Sequence, residues 1–283
     1  MTRTAVITDT DASLPLELAG EYGVIQVPIT IHFGDQVLQA CYEIDDRELF
    51  LRVDRDGKVP TTAAPSPGDF ARAFRQAAES GADQVLCFTV SSEVSATYQS
   101  ALTARELVPE LAVEVVDTWS VSMGQGFLVL KAAEMARKNL PVQEILEQMD
   151  AIRSRTHLFA ALDTLRYMAM SGRVGHLTAG MANFLDVKPI LTIRDGKLDL
   201  LEKVRTRSKS RARLIELIQE SLVGKDIEKI FLIHVAAPER AAAFEEQLRK
   251  ALGYSGPMPY TELTPGLSVH AGKGVVGAAY LTD

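Results

Sequence analysis

The stretch QVLCFTVSSEVSATYQSALTAREL, Gln84 to Leu107, decides the architecture. Gln84 to Val90 is a short and nearly unbroken apolar run, as expected of a strand covered on both faces. Ser91 and Ser92 interrupt it, and a helix is predicted from about Ser95 to Leu107. Strand, polar turn and helix in that order form half of a parallel crossover unit. Working outward, Ala5 to Thr8 is a second buried strand, followed by the polar turn Asp9 to Ser13. Ser13 and Pro15 open a helix that ends near Gly23. On the other side, Val113 to Val116 is a strand ending at Asp117, ahead of a long helix from about Val121 to Asn139. Val24 to Phe33 reads as extended, and Gly34-Asp35 turns it into Gln36 to Ala40. Ser66-Pro67-Gly68-Asp69 has the form of a capping box, with Phe70 and Phe74 on one face of the helix it starts. Ligands of parallel sheets collect beyond the carboxyl ends of the strands. Asp9, Ser92, Ser95 and Asp117 fall at those ends.

After a helix near Val142 to Arg153 the character changes. Leu158 to Leu162 is predicted as a strand, and Asp195-Gly196 joins Lys188 to Ile193 and Lys197 to Val204 in a hairpin. Strands over Ile230 to Val235 and Val275 to Leu281 alternate with helices over Ser210 to Leu222 and Ala241 to Leu252. The expected fold class is α/β with two domains. Residues 1–155 would form an α/β/α parallel-sheet domain, and residues 156–283 a smaller two-layer α/β domain with a mixed sheet.

The chain has 283 residues, 47% of them hydrophobic, which is ample for two cores. Its 30 basic and 37 acidic residues leave a net charge of −7, so no general basic field for nucleic acid exists. Cys41 and Cys87 lack metal spacing and are expected to be buried free thiols. The first apolar stretch is too short for a signal peptide, and no apolar run approaches the ~20 residues that span a bilayer. The expectation is a cytoplasmic protein, monomeric by itself, without metal or cofactor, nucleic-acid partner or stable membrane insertion.

Three stretches rich in small polar residues carry the chemistry: Thr61 to Pro67, Ser91 to Tyr98 and Val269 to Gly274. Hydroxyls at helix starts, with free backbone N–H groups, suit a carboxylate or phosphate, and His270 adds an imidazole on a glycine-rich turn. Each has a plainer reading. Ser95 alone is a helix cap, Thr62 alone a loop threonine, and His234 on its apolar strand a core histidine. His32, His157 and His176 show no ligand spacing. Gly272 to Gly277 matches G-x-G-x-x-G, but a dinucleotide site needs a strand before it and a helix after it. A strand is expected after it here. Arg205, Arg207, Lys209, Arg211 and Arg213 place five cations in nine residues, either as a solvated face or for an anionic partner. From the residues alone, three functions remain open. They are an anion-headed ligand carrier, a sugar- or phosphate-binding module, and a serine-type acyl hydrolase or transferase using Ser95 and His270 with Asp9 or Asp117.

Taken as a set, these blocks resemble the DegV family. The resemblance rests on Asp9 to Leu14, Thr62 to Pro67, Ser91 to Ala101, Val116 to Gly126, Ser171-Gly172-Arg173-Val174, Val187 to Ile190 and His270 to Gly274, in the family's order along nearly the whole chain. It implies a fatty-acid-binding protein in which the first domain encloses the acyl chain. The second would contribute the head-group lid and partner surface. Thr62, Ser95 and His270 would contact the carboxylate, with Ser92, Thr97 and Gly272 in support. Some members are the FakB-type subunit of bacterial fatty acid kinase. They present a long-chain fatty acid to a separate ATP-dependent kinase subunit and carry the acyl phosphate toward phospholipid synthesis. On that model Arg205, Arg207 and Arg173 belong to the docking surface, and the subunit itself is a carrier rather than an enzyme. Ser95-Ala96-Thr97 replaces the family's usual Ser-Gly-Thr, which leaves every proposed donor in place.

Overall fold

The computed structural model describes residues 2–173 and 187–283. Val174 of the fifth block and His176 lie outside the described residues. The chain divides into two compact units, the first comprising 1–43, 62–154 and 195–197, the second 44–61, 155–194 and 198–283.

The first unit is built on a four-stranded parallel sheet, Val24–Val27, Thr4–Asp9, Gln84–Thr89 and Ala112–Asp117 in spatial order. Its strands are apolar because helices cover them. Phe70, Phe74, Ile7, Cys87 and Ala101 share one fully buried cluster. The helix Pro67–Glu79 starts with the predicted capping box, Ser66 and Asp69 each serving the other's backbone N–H. The helix Met123–Arg137 is buried on nearly all sides. Gly126 permits its close approach, since a Cβ there would lie 3.0 Å from the Ala12 carbonyl oxygen.

The expected extended run Val24 to Phe33 is two strands, Val24–Val27 and Thr30–Phe33. Pro28 stands between them, and with no N–H to donate it ends the pairing. Thr30–Phe33 is the middle strand of a small sheet between Gln36–Gln39 and Thr61–Ala63. Thr62 therefore sits on a strand rather than in a loop.

The second unit has a six-stranded mixed sheet, ordered Lys197–Val204, Lys188–Arg194, Thr156–Ala161, Val276–Thr282, Ile227–His234 and Tyr260–Glu262. The hairpin turn is as predicted, with Asp195 and Gly196 at φ of 50° and 77°, as a type I′ turn requires. Leu214, Ile218, Phe244 and Leu248, from the helices Arg207–Ser221 and Pro238–Leu252, pack with Ile230, Leu232 and Tyr280 of the sheet. The first of these helices starts at Arg207 rather than Ser210 because Thr206 accepts the Lys209 N–H as its cap. The helix Asp46–Asp56 was not anticipated, although Asp45 caps it and Gly57 ends it in the left-handed conformation. Cys87 is buried and free, but Cys41 is only half-buried. Among the described residues no helix is long and apolar enough to cross a membrane.

Candidate functional site

In the first unit the carboxyl ends of the parallel strands carry a dense polar network. Asp9 ends its strand fully buried and accepts from Asp11 N at 2.9 Å, Val90 N at 2.7 Å and Gln125 Nε2 at 3.2 Å. Burial drives its pKa up to about 6, against the lowering effect of those bonds. Asp117 accepts Ser92 N–H at 3.2 Å and Trp119 N–H at 3.0 Å. Both acids therefore hold loops in place, and their hydrogen bonds go to groups of their own unit. Among the described residues these bonds come from backbone N–H groups and Gln125, not from a histidine.

Around Ser95 the structure places hydroxyls close together. Ser95 Oγ and Thr97 Oγ1 are hydrogen-bonded at 2.9 Å, and Thr97 N donates to Ser95 Oγ at 3.3 Å. The helix begins at Thr97, two residues later than predicted, with Ala96 at the cap position and no side-chain cap there. Ser95 thus lies just outside the helix, half-buried, and Thr97 is fully buried beneath it. Ser100, one turn on, donates its hydroxyl to the Pro65 carbonyl, which ties the Thr62 to Pro67 stretch to the start of this helix. Thr62, Ser92, Ser95 and Thr97 all belong to the first unit, Thr62 on its small three-stranded sheet and the other three beyond the carboxyl end of Gln84–Thr89. A cavity of about 610 Å³ opens at the other end of the sheet, among Arg3, Ala5, Gln76, Ser80, Ala133 and Arg137. Its mixed wall of guanidinium, amide and methyl groups is a poor sheath for hydrocarbon.

In the second unit His270 lies in the last turn of the helix Pro265–Ala271, not on a glycine turn. Thr264-Pro265 starts that helix and Gly272 ends it, at a φ of 81°. A Cβ on Gly272 would collide with the Tyr167 ring, so this glycine is required by packing. Burial lowers the His270 pKa to about 4, with the Arg173 charge adding to the effect. The imidazole is neutral at pH 7. His234 ends its strand buried, its Nδ1 3.7 Å from Glu262, and burial lowers its pKa too. The glycines from Gly272 follow a helix and precede the strand Val276–Thr282, the reverse of a dinucleotide-binding turn.

Two features of this unit escaped the sequence reading. Ser268 Oγ lies 2.7 Å from Asp46 Oδ2 and also donates to the Leu263 carbonyl. Burial pushes the Asp46 pKa well above the ordinary carboxylate range, against the lowering effect of the Ser268 bond, so the protonated carboxyl is favoured relative to an exposed aspartate. Stability from such a group is present below the unfolded pKa and is lost as pH rises through the folded one. Asp46→Asn, whose amide can donate to Ser268, should gain stability over the parent as pH rises from 5 to 8. Thermal midpoints measured across that range check this, and a constant difference between the two proteins would contradict it.

The second feature concerns the cations. Arg213 is bound by Glu202, Glu216 and Glu220, and Arg207 by Asp163, while Arg205 stays exposed. The run is thus partly neutralised by acids from elsewhere in the chain. Arg173 is exposed and donates to the Ser171 carbonyl at 2.8 Å. Among the described residues no group of His, Cys, Asp and Glu side chains could hold a metal ion.

Comparison with known proteins agrees with this architecture. The family model described as "Uncharacterised protein, DegV family" matches residues 3–283. A DegV domain-containing protein of Streptomyces coelicolor is 35% identical over 96% of both chains. One from Deinococcus radiodurans is 34% identical over 97% of both. Among solved structures, a DegV family protein from Thermus thermophilus described for its fatty acid binding superposes with a TM-score of 0.92, at 29% identity over 100% of both chains. DegV of Bacillus subtilis, described as a fatty acid binding protein, gives 0.89 at 25% identity, again over 100% of both. With a matched model over almost its whole length and the two-unit architecture of these structures, the chain belongs to the DegV family.

Proposed function

We propose that this protein binds a long-chain fatty acid, hides the acyl tail and presents the carboxylate to a separate ATP-dependent kinase subunit. The acyl phosphate formed there is then carried toward phospholipid synthesis. The observation that supports this most is the hydroxyl cluster of Ser95 and Thr97, tied to the Thr62 stretch at the strand ends, in a family whose solved members are described as fatty acid binding.

The energetics favour such a ligand. A 16-carbon acid buries about 14 methylenes, a gross gain of ~11 kcal/mol at ~0.8 each. Part of that offsets lost freedom on association. An ionised head buried without donors would be prohibitive, and charge-assisted bonds contribute ~1.5–3 kcal/mol apiece. The tail supplies the affinity; Thr62, Ser95 and His270 set depth and orientation, with Ser92, Thr97 and Gly272 shaping their loops. Arg205, Arg207 and Arg173 form the face offered to the kinase subunit, and the carrier itself catalyses nothing.

Ser95→Ala should weaken retention of a labelled fatty acid by about 10-fold, measured by competition after delipidation. Its phosphorylation by added kinase subunit and ATP should fall further, because the head group loses orientation as well as affinity. Unchanged retention together with unchanged phosphorylation would remove Ser95 from the site. A covalent serine probe should leave the protein unlabelled, whereas stoichiometric labelling at Ser95 would favour a hydrolase. Arg205→Glu should abolish phosphorylation while fatty acid content stays constant.

A further inference from the structure

Within the second unit, sharing only Arg207 with the face proposed for the kinase subunit, two adjoining cavities have a common wall of Asp163, Arg207, Arg240 and Gly274. The larger, about 410 Å³, runs along Ala236, Ala237 and Pro238 and reaches Lys273. The smaller, about 120 Å³, is bounded by Lys188, Ser210 and Arg211. Five cations and only two carboxylates, Asp163 and Glu239, line the pair, on a chain whose net charge is −7. Such local concentration of positive charge does not follow from composition.

Asp163 organises the wall. It accepts Arg207 Nε at 2.9 Å on one oxygen and Arg240 Nη1 at 2.9 Å on the other, while its backbone carbonyl accepts Lys188 Nζ at 2.6 Å. Partial burial would raise its pKa, but the bonds from Arg207 and Arg240 outweigh that and hold it below the usual carboxylate range. Gly274, at a φ of 90°, leaves room for the pair: a Cβ would lie 2.7 Å from Asp163 Oδ2 and overlap Arg240 Nη1. Asp163 thus fixes two guanidinium groups through its carboxylate and an ammonium through its backbone carbonyl, and its single negative charge does not cancel their three positive ones.

Among the described residues, two donors at the smaller cavity have nothing to serve: the Oγ of Ser210, a residue 3% exposed, has no hydrogen-bond partner, and the buried Arg211 Nε has none either. A buried unsatisfied donor costs about 1–3 kcal/mol, so a pair of them on a cationic cavity marks a place where an acceptor is meant to sit. The helix Pro238–Leu252 also starts at the larger cavity without a side-chain cap, adding the positive end of its dipole.

We propose that these cavities form a binding site for a small, water-soluble phosphate monoester. The phosphoryl group sits against Ser210, Arg211 and Lys188, with Arg207 and Arg240 closing on its remaining oxygens. The organic portion lies along Ala236 to Pro238. Donors converging from several directions match a tetrahedral dianion better than a planar carboxylate, and the larger cavity has the size of an ordinary small-molecule pocket.

Titration calorimetry on the full chain tests this with AMP, inorganic phosphate, adenosine and phosphatidic acid vesicles. AMP is expected to bind, inorganic phosphate more weakly, and adenosine not at all. Ser210→Ala should weaken AMP about 10-fold, and Arg240→Gln more, with fatty acid content unchanged in both. An unaltered unfolding midpoint for Ser210→Ala separates a lost contact from a lost fold. Absence of AMP and phosphate binding at millimolar concentration, or an unchanged affinity in a folded Ser210→Ala, overturns the proposal. Binding to the vesicles alone overturns it in favour of a membrane contact. Absence of fatty acid from the unaltered protein, with AMP binding intact, would count against the carrier reading and leave this site standing.

Discussion

Saturating the delipidated protein with a long-chain fatty acid should raise the pKa of His270 by two units or more from about 4. In the free protein, burial and the Arg173 charge both disfavour the imidazolium. A carboxylate placed against the ring reverses the balance, because an opposite charge within ~4–6 Å favours the charged form. The sign also fixes the effect on stability. The folded pKa lies below the unfolded value near 6.5, so the contribution of His270 is complete above pH 6.5 and is lost as pH falls toward 4. At this one residue the free protein gives up about 3 kcal/mol across that window. The loaded protein should give up much less. Titration of the His270 ring protons by NMR, with and without ligand, reads both values. An unmoved pKa at full occupancy would take His270 out of the head-group contacts.

Gly277→Val should cost at least about 4 kcal/mol and unfold the second unit under mild denaturant. Gly277 lies on the fully buried strand Val276–Thr282, opposite Ala160. A Cβ there would overlap the Phe159 carbonyl oxygen and stand 3.0 Å from the Ala160 Cα. Both obstacles are backbone in a paired strand, so no rotamer change can make room, and the sheet must part. Denaturant midpoints compared with the parent give the cost; an unchanged midpoint would mean that the strands separate freely. The G-x-G-x-x-G spelling here thus records packing demands at Gly272, Gly274 and Gly277 rather than a nucleotide.

The parallel sheet was legible because Gln84–Thr89 and its neighbours are apolar runs closed by polar turns, and burial on both faces leaves that mark in any sequence. The same holds for the capping box at Ser66 and the Asp195-Gly196 turn, where local chemistry alone sets the backbone. The strand bearing Thr62 has only three residues, too few for alternation to show. Asp46–Asp56 carried its signals, with Asp45 at the start, Leu49, Phe50 and Val53 on the buried side and Gly57 at the end. Their weak apolar content hid them. The hydroxyls at Ser95 could be singled out because position at a strand end is a topological property. Asp163 could not be, since its partners lie 44 and 77 residues away in sequence. No local pattern encodes a pairing of that kind, nor the burial that raises the Asp46 pKa.

The carrier reading is tested most directly by the intact mass of the protein purified under gentle conditions. The expected result is a mass increment of ~230–290 Da over the bare chain, as one long-chain acid would give, which organic extraction removes and added palmitate restores. A chain that flies at its bare mass, and gains none on incubation with palmitate, would contradict the claim that it encloses a lipid.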